Sequence, residues 1–325
     1  MKKTKWTGLI FTCMLALGLS GCGKQNVDNE VHIGYFNNVT HAQALYMKAE
    51  NSLRDNLPED VQVKWTAFNA GPAEVEALFA GDIDIGYIGP VPAITANVKS
   101  KGDVQILAGA TKGGAVLITG KDSEIKSVAD LAQKTVSIPQ IGNTQHLSLL
   151  HLLDENGLKP VTEGGDVTVC AVANADVENV MGRGDVDAAL VPEPWGATLL
   201  SKDAELLLDY DEIYLDGKYD VAVVVVRKEF YETHPEIVEA FLKTHQEVTK
   251  IINEETETAL TVINQELKDA TGKALGEDII AEAFTRITVS DTYNRESIDG
   301  FAKISKEQGF IDEVPQSGLY INGDE

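Results

Sequence analysis

Cysteine is scarce in this sequence, with three residues among 325. Cys13 lies inside an apolar N-terminal run, Cys22 directly follows that run, and Cys170 stands alone in the apolar segment 167–172. No cysteine or histidine cluster has the spacing of a zinc site, and no pair suggests a structural disulfide. We therefore expect no metal and no cofactor, and we interpret Cys170 as a thiol packed in the interior.

Positive charge is also scarce. The chain has 27 Lys and Arg residues against 51 Asp and Glu residues, which gives a net charge of −24. A protein that binds nucleic acid needs a basic face, so nucleic acid is excluded as a partner. An acidic surface of this kind mainly favours solubility. It is also repelled by anionic lipid headgroups, so attachment to a membrane would need an anchor.

Long apolar runs are missing beyond the N-terminus, since no later segment reaches the roughly 20 apolar residues of a membrane-spanning helix. The apolar run 8–19 is shorter and follows three lysines, which is the layout of a secretory signal. It ends in Leu-Ser-Gly-Cys, which resembles the lipobox of bacterial lipoproteins. That resemblance predicts a signal peptide over 1–21, a lipid on Cys22, a tether over 22–30 and a position on the outer face of the cytoplasmic membrane. The alternative is an ordinary signal peptide followed by a chance cysteine.

The remaining chain of about 300 residues is near the upper size of a single core, so two lobes are expected. Apolar runs alternate with helical patterns, which predicts βαβ units, mainly parallel sheets and an α/β fold. We expect the helix-rich C-terminal third to pack around the first lobe. The predicted strands are 31–36, 61–68, 83–88, 104–110, 115–119, 135–138, 167–172, 186–191 and 221–226, and the predicted helices are 41–54, 72–80, 127–133 and 234–242.

One pattern occurs twice, about a hundred residues apart. Segments 74–92 and 176–195 each combine a short helix, a Gly-Asp-apolar-Asp turn, an apolar strand and a proline turn. In each, glycine favours a left-handed helix end, both aspartates are expected to expose their charge, and proline ends the strand. This repeat predicts two similar lobes, with 31–119 and 218–325 in lobe I and 120–217 in lobe II. Strands 115–119 and 221–226 are predicted to carry the chain to lobe II and back.

Polar and glycine-rich segments follow several predicted strands, which is where open α/β sheets bind their ligands. Asn38 or Thr40 is placed to cap the helix after the first strand. Segments 69–72 and 140–146 are placed in the same way before later helices. Helix starts that meet at one cleft would offer N–H groups and positive dipole ends to an anion or a carbonyl-rich ligand. The alternative is that each segment is only a helix cap.

Aromatic side chains near these strand ends are expected to line the cleft, namely Tyr35, Phe36, Tyr87 and Trp195. Glu193, in the Pro-Glu-Pro turn before Trp195, is placed either to accept a ligand amine or to form an ion pair at the rim. No arrangement for catalysis is indicated, because neither a Gly-x-Ser-x-Gly elbow nor a P-loop is present. His146 and His151 lack a cysteine or carboxylate partner nearby, and we interpret them as surface or lobe-packing residues.

Five segments in collinear order resemble the aliphatic sulfonate-binding proteins of ABC importers, within the wider nitrate, sulfonate and taurine group. They are GYFNNVTHAQAL (34–45), FNAGPAEVEALFAGDIDIGYIGPVPA (68–93), AGATKGGA (108–115), PQIGNTQ (139–145) and VPEPW (191–195). The resemblance implies a type II periplasmic binding fold, in which two α/β lobes joined by two hinge strands close on a ligand. It also implies a monomer that delivers a small-molecule ligand to ABC permease and ATPase subunits, without catalysis.

The matching positions implied in the cleft are Asn38, Thr40, His41, Asn69, Gly71, Tyr87, Ile88, Gly89, Thr111, Gly113, Gly114, Asn143, Thr144, Gln145, Glu193 and Trp195. Lys112 is the only cation in these segments, so an anion would depend on N–H groups and hydroxyls. A zwitterionic or neutral ligand therefore stays open beside an aliphatic sulfonate.

Other functions on the same fold are alternatives. The ligand could be a thiamine-pyrimidine precursor, nitrate or bicarbonate, or the chain could be a secreted enzyme or a ligand sensor. The related pyrimidine synthases carry a cysteine-rich iron motif, which Cys170 alone does not supply.

Overall fold

The computed structural model describes residues 29–321, so the predicted signal peptide and Cys22 lie outside the described residues. In chain order the elements are β1 (Glu30–Phe36), α1 (Ala42–Glu50), β2 (Gln62–Phe68), α2 (Gly71–Ala80), β3 (Ile85–Ile88), α3 (Pro90–Ser100), β4 (Val104–Gly113), β5 (Ala115–Thr119), β6 (Thr135–Ile138), α4 (Thr144–Glu155), β7 (Thr168–Ala171), α5 (Val177–Gly182), β8 (Ala188–Pro192), α6 (Trp195–Leu200), β9 (Glu205–Leu208), α7 (Tyr210–Ile213), β10 (Asp220–Arg227), α8 (Lys228–Thr233), α9 (Pro235–Glu254), α10 (Thr256–Thr271), α11 (Glu277–Thr285), β11 (Ile287–Val289) and α12 (Arg295–Glu307). Each predicted strand is present, with bounds that differ by at most three residues.

The strands form two separate sheets, which confirms the predicted α/β fold with two lobes. The first sheet has the order β11-β4-β10-β3-β1-β2, and the second has the order β7-β6-β8-β5-β9. The pairs at one end of each sheet are parallel, as β1 is with β2 and β3, and β6 with β7 and β8. The prediction of mainly parallel sheets was wrong, because β10, β11, β5 and β9 join antiparallel where the chain changes lobes or returns.

The chain passes between the lobes at two places. The first is Gly113 and Gly114, whose φ angles of 71° and 74° lie in the left-handed region that glycine adopts without steric cost. The second is the segment 209–219, between β9 and β10. Strand 115–119 was assigned to lobe I, but as β5 it pairs with β8 and β9 of the second sheet. The first division between the lobes therefore falls at Gly114, before the predicted boundary at 119.

The duplicated Gly-Asp-apolar-Asp turn has the same role in both sheets. Oδ2 of Asp84 accepts a hydrogen bond from the N–H of His32 at 2.9 Å, and Oδ2 of Asp187 accepts one from Thr135 at 2.8 Å. Each aspartate thus fixes the start of the neighbouring strand. We expected both aspartates of each turn to expose their charge. This was wrong for the second aspartate of each turn, since Asp84 is buried and Asp187 is half-buried.

The helices differ more from the predictions than the strands do. The helix predicted over 41–54 ends at Glu50, because Asn51 turns left-handed with φ 53°. Segment 127–133 contains only a short 3-10 turn, Val128–Leu131. Helix α9 continues to Glu254 instead of stopping near residue 242.

The C-terminal helices join both lobes. Helices α9 and α10 pack against α1 of lobe I, as predicted, but α12 packs against both α3 and α4. His146 of α4 lies 5.2 Å from Phe310, ring centre to ring centre, which confirms its lobe-packing role. Within residues 29–321, no helix is both long and apolar enough to cross a membrane.

Candidate functional site

A small cavity lies between the two sheets, where the carboxyl ends of their parallel strands face each other. Its volume is about 30 Å³. It is lined by Phe36, Asn38, Thr40, His41, Asn69, Ala70, Gly71, Gly89 and Pro92 of lobe I, and by Pro139, Asn143, Thr144, Gln145, Asn174 and Pro192 of lobe II. These residues follow β1, β2 and β3 on one side and β6, β7 and β8 on the other, which is the usual ligand position in open α/β sheets.

The cavity brings together nine of the sixteen predicted site residues, and Phe36 as well. The nine are Asn38, Thr40, His41, Asn69, Gly71, Gly89, Asn143, Thr144 and Gln145. The other seven do not line it: Tyr87, Ile88, Thr111, Gly113, Gly114, Glu193 and Trp195. Sequence reasoning missed Asn174, although its position just after β7 matches the positions of the other polar lining residues.

Short local hydrogen bonds hold the lining side chains at the helix starts. Oδ1 of Asn38 accepts from the N–H of Thr40 at 3.1 Å and from its hydroxyl at 2.5 Å. In lobe II, Oδ1 of Asn143 accepts from the N–H of His146 at 2.8 Å, and Nδ2 of Asn143 donates to Oε1 of Gln145 at 3.1 Å. The capping interpretation of these residues is therefore right, and the same residues also face the cavity.

These bonds occupy the oxygens of the side-chain amides and leave nitrogen donors. The oxygens of Asn38, Asn143 and Gln145 all accept hydrogen bonds from the protein, whereas the Nδ2 group of Asn38 and the Nε2 group of Gln145 keep protons to donate. At α2 the N-cap residue is Ala70, whose side chain cannot cap the first N–H groups. The lining is thus rich in hydrogen-bond donors.

His41 adds a donor without adding charge. The N–H of Phe36 donates to Nδ1 of His41 at 3.1 Å, so the ring proton lies on Nε2. Burial lowers the pKa of His41 to about 3, and the ring is therefore neutral at physiological pH. It stacks on Phe36 with ring centres 4.3 Å apart, which fixes its plane.

Charged side chains are absent from the lining. Among the residues that the structure describes, no Lys, Arg, Asp or Glu borders the cavity. Lys112 lies elsewhere, with Nζ 3.4 Å from the hydroxyl of Ser290. A ligand anion would therefore be held by neutral N–H and O–H groups and by helix dipoles, as oxyanions are at helix N-termini.

Tyr87 and Ile88 of β3 belong to the core and not to the cavity surface. Both are fully buried, and the hydroxyl of Tyr87 lies 2.7 Å from Nδ1 of His245 in α9. Thr111 is fully buried within β4. Tyr35, also expected to line the cleft, packs edge-on against Trp65. Tyr35, Tyr87 and Thr111 precede the last residue of their strands, and Ile88, the last residue of β3, belongs to a hydrophobic core cluster.

Glu193 forms an ion pair with Arg286 and does not line the cavity. Its carboxylate accepts from the N–H of Ala197 at 2.9 Å and lies 3.3 Å from Arg286, which also binds Asp209 and Glu282 at 2.9 Å each. Burial raises the pKa of Glu193 to about 7, although Arg286 opposes that rise. Arg286 is distant in sequence, and no local pattern indicated it.

Trp195, at the start of α6, packs against the second-lobe cluster of Val116, Ile118, Val177, Ala189, Val191 and Leu199. Of the Val-Pro-Glu-Pro-Trp segment, only Pro192 lines the cavity. Gly113 and Gly114 form the first passage between the lobes, and a Cβ on Gly113 would lie 2.7 Å from the carbonyl oxygen of Arg286.

A model described as the NMT1-like family matches residues 24–264. The chain belongs to the NMT1-like family. One relative of this NMT1-like chain is the taurine-binding periplasmic protein of Escherichia coli (strain K12), which is 35% identical over 180 residues, or 55% of this chain and 54% of that protein. The chain spans about half the length of the first curated relatives it matches.

Solved structures share the fold of this NMT1-like chain at lower identity. The alkanesulfonate-binding protein SsuA of Xanthomonas axonopodis pv. citri, bound to MOPS, superposes with a TM-score of 0.72 at 21% identity, covering 88% of this chain and 94% of that one. The periplasmic nitrate-binding protein NrtA of Synechocystis PCC 6803 superposes with a TM-score of 0.70 at 16% identity, covering 89% and 83%. The chain therefore has the fold of the periplasmic binding proteins, as the sequence motifs predicted.

Proposed function

We propose that this protein is the solute-binding component of an ABC importer that captures a small organic sulfonate outside the cytoplasm and delivers it to the permease. One observation carries the proposal. The cavity between the lobes is lined by neutral hydrogen-bond donors at several helix starts, with no charged side chain among the described residues. This arrangement suits an oxyanion that must be both held and released.

The form of the donor set favours a sulfonate. Three oxygens of a sulfonate can each accept hydrogen bonds, and the lining offers the amides of Asn38 and Gln145, the ring of His41 and first-turn N–H groups. The relative named for taurine binding supports the same ligand class.

We propose binding without turnover, and the lining supports this part of the proposal. General acid–base catalysis needs a group that can exchange a proton near the operating pH. Of the groups that the structure describes at the cavity, His41 is the titratable one, and its pKa of about 3 keeps it neutral. We therefore favour binding over the secreted-enzyme alternative.

Nitrate is the second candidate ligand. Its three oxygens could use the same donors as a sulfonate, and a nitrate-binding protein shares the fold. Nitrate has no methylene groups, however, so it would leave Phe36, Pro92 and Pro139 without an apolar partner.

We further propose that the protein is a lipoprotein. Its signal would be removed before Cys22, and the lipid on Cys22 would hold the acidic chain at the outer face of the membrane. The two hinge segments at Gly114 and 209–219 would let the lobes open and close above that anchor.

Thermal melting against a panel of ligands tests the proposed function. The panel would contain short alkanesulfonates, taurine, nitrate, sulfate, bicarbonate, thiamine-pyrimidine precursors and amino acids. A ligand at 100 times its dissociation constant stabilises the native state by about 2.7 kcal/mol, which corresponds to a shift of several degrees. We expect sulfonates to give the largest shift. A shift with nitrate but with no sulfonate would contradict the proposal.

A further inference from the structure

Asn174 differs from the other amides at the cavity. It lies in a 3-10 turn, Asn174–Asp176, that follows β7, and it lines the cavity from lobe II. Its Oδ1 atom is buried and has no hydrogen-bond partner among the described residues. Buried carbonyl oxygens are normally paired, so an unpaired one at a ligand cavity calls for a partner that the ligand brings.

The Asn174 oxygen differs from the side-chain oxygens of the neighbouring amides. The side-chain oxygens of Asn38, Asn143 and Gln145 are all occupied by protein donors, which leaves the nitrogens of Asn38 and Gln145 for an anion. Asn174 is the lining amide whose buried oxygen is left as an acceptor. It thus has the opposite hydrogen-bond polarity from those three amides, and a donor group on the ligand would satisfy it.

The fold places the Asn174 oxygen on the strand next to the one that leads to the donors of α4. Strands β6 and β7 are parallel neighbours, with Ile138 opposite Ala171. Asn143 and Asn174 therefore emerge from adjacent strand ends on the same edge of the second sheet. One short ligand can reach donors at the start of α4 with one end and the oxygen of Asn174 with the other.

We propose that Asn174 is a specificity-determining residue whose side-chain oxygen accepts a hydrogen bond from an ammonium group of the ligand. The ligand class is then a short aminosulfonate, a zwitterion with a sulfonate at one end and an amine at the other. This inference rests on the proposed sulfonate-binding function and narrows it. No carboxylate among the described lining residues competes for the amine.

The test compares two probes that differ in the amine. Taurine is 2-aminoethanesulfonate, and ethanesulfonate has the same chain and sulfonate but no amine. Isothermal titration of the purified protein with each probe gives a ratio of dissociation constants. The variants are Asn174→Leu, which removes the oxygen at similar size, and Asn174→Asp, which adds a carboxylate. The matched control is Asn179→Leu, an exposed asparagine on α5.

We expect the parent protein to prefer taurine over ethanesulfonate. Asn174→Leu should weaken taurine binding roughly tenfold or more, because a hydrogen bond to a charged group is lost, while ethanesulfonate affinity stays within about twofold. Asn174→Asp should raise the preference for taurine, and Asn179→Leu should change neither affinity.

Three results would overturn the inference, and they separate it from the proposed function. Equal parent affinity for taurine and ethanesulfonate would remove the amine subsite and leave the sulfonate function intact. An Asn174→Leu variant that loses both probes equally would make Asn174 a contact of the sulfonate end. A parent that binds neither probe would reject the proposed function itself, and the inference with it.

Discussion

Gly89 of lobe I and Thr144 of lobe II touch across the cavity between the lobes, so closely that a Cβ atom on Gly89 would overlap the Thr144 hydroxyl. Gly89 is the N-cap of α3, and Thr144 is the first residue of α4. The same hydroxyl lies 3.5 Å from the N–H of Val91. The closed arrangement of the two lobes thus depends on the missing side chain at Gly89.

Gly89→Ala should weaken ligand binding without destabilising lobe I. The backbone at Gly89 is extended, with φ −66° and ψ 149°, so alanine causes no backbone strain there. Overpacking against Thr144 should cost the closed form about 1–3 kcal/mol, and the affinity should fall accordingly. Calorimetric titration measures the change. The control is Gly120→Ala, where a Cβ meets nothing within 4 Å; equal affinities in both variants would contradict this role of Gly89.

Arg286→Met should destabilise the protein, and more strongly at pH 8 than at pH 5. The substitution leaves the fully buried carboxyl of Glu193 without its cation. Loss of one partner from a buried pair costs about 3–5 kcal/mol. Because the pKa of Glu193 is already raised to about 7, protonation below that pH relieves part of the cost, and the loss grows as pH rises through 7.

Denaturant unfolding at the two pH values measures this effect. Arg183→Met is the matched control, because Arg183 pairs with Asp185 on the exposed surface, where an ion pair contributes about 0–1 kcal/mol. The double variant Arg286→Met with Glu193→Gln should recover part of the lost stability. A pH-independent loss in Arg286→Met would show that Glu193 does not stay unpaired in that variant.

Glu74→Gln should reduce the dependence of stability on pH. Glu74 is fully buried in α2 against Gly34 and Gly86, and neither of its carboxyl oxygens has a hydrogen-bond partner among the described residues. Burial raises the pKa of Glu74 well above its usual value. When the folded-state pKa of a carboxyl is raised, its contribution to stability is fully present below the unfolded-state pKa. That contribution is lost as pH rises through the folded-state pKa.

The melting temperature of Glu74→Gln relative to the parent should therefore increase from pH 5 to pH 9. Glu76→Gln, an exposed position on the same helix, should follow the parent at both values. Parallel pH profiles for all three proteins would mean that the Glu74 carboxyl finds a partner or stays at its ordinary pKa.

Sulfonate affinity should be independent of pH between 5 and 8. A sulfonate stays ionised over this range, and His41 stays neutral because its pKa is about 3. An ordinary histidine, with a pKa of about 6.5, would become cationic and strengthen anion binding below pH 6.5. Titration at three pH values checks this, and a rise in affinity towards pH 5 would show that His41 takes up a proton at the site.

Local signals in the sequence predicted the strands and much of the cavity. Capping patterns after strand ends identified Asn38 and Asn143, because a residue that caps a helix start also lies at the sheet edge where ligands bind. The duplicated turn predicted two similar lobes because its residues make local contacts. Its glycine ends a helix, and its second aspartate binds the start of the neighbouring strand.

Contacts between distant segments could not be predicted in this way. Arg286 reaches Glu193 across 93 positions, and no periodicity relates them. Tyr87 lies near a strand end in sequence, yet its pairing with His245 of α9 places it in the core. The position of Asn174 follows the same strand-end rule as Asn143, but its unpaired oxygen depends on the full arrangement of neighbouring groups.

Calorimetric titration of the purified protein with taurine and with nitrate tests the central claim most directly. The account predicts saturable binding of one taurine per chain, at least about tenfold tighter than nitrate, because the apolar and donor groups of the lining are both used. Absence of taurine binding, or tighter binding of nitrate, would contradict the assignment of the cavity to a sulfonate.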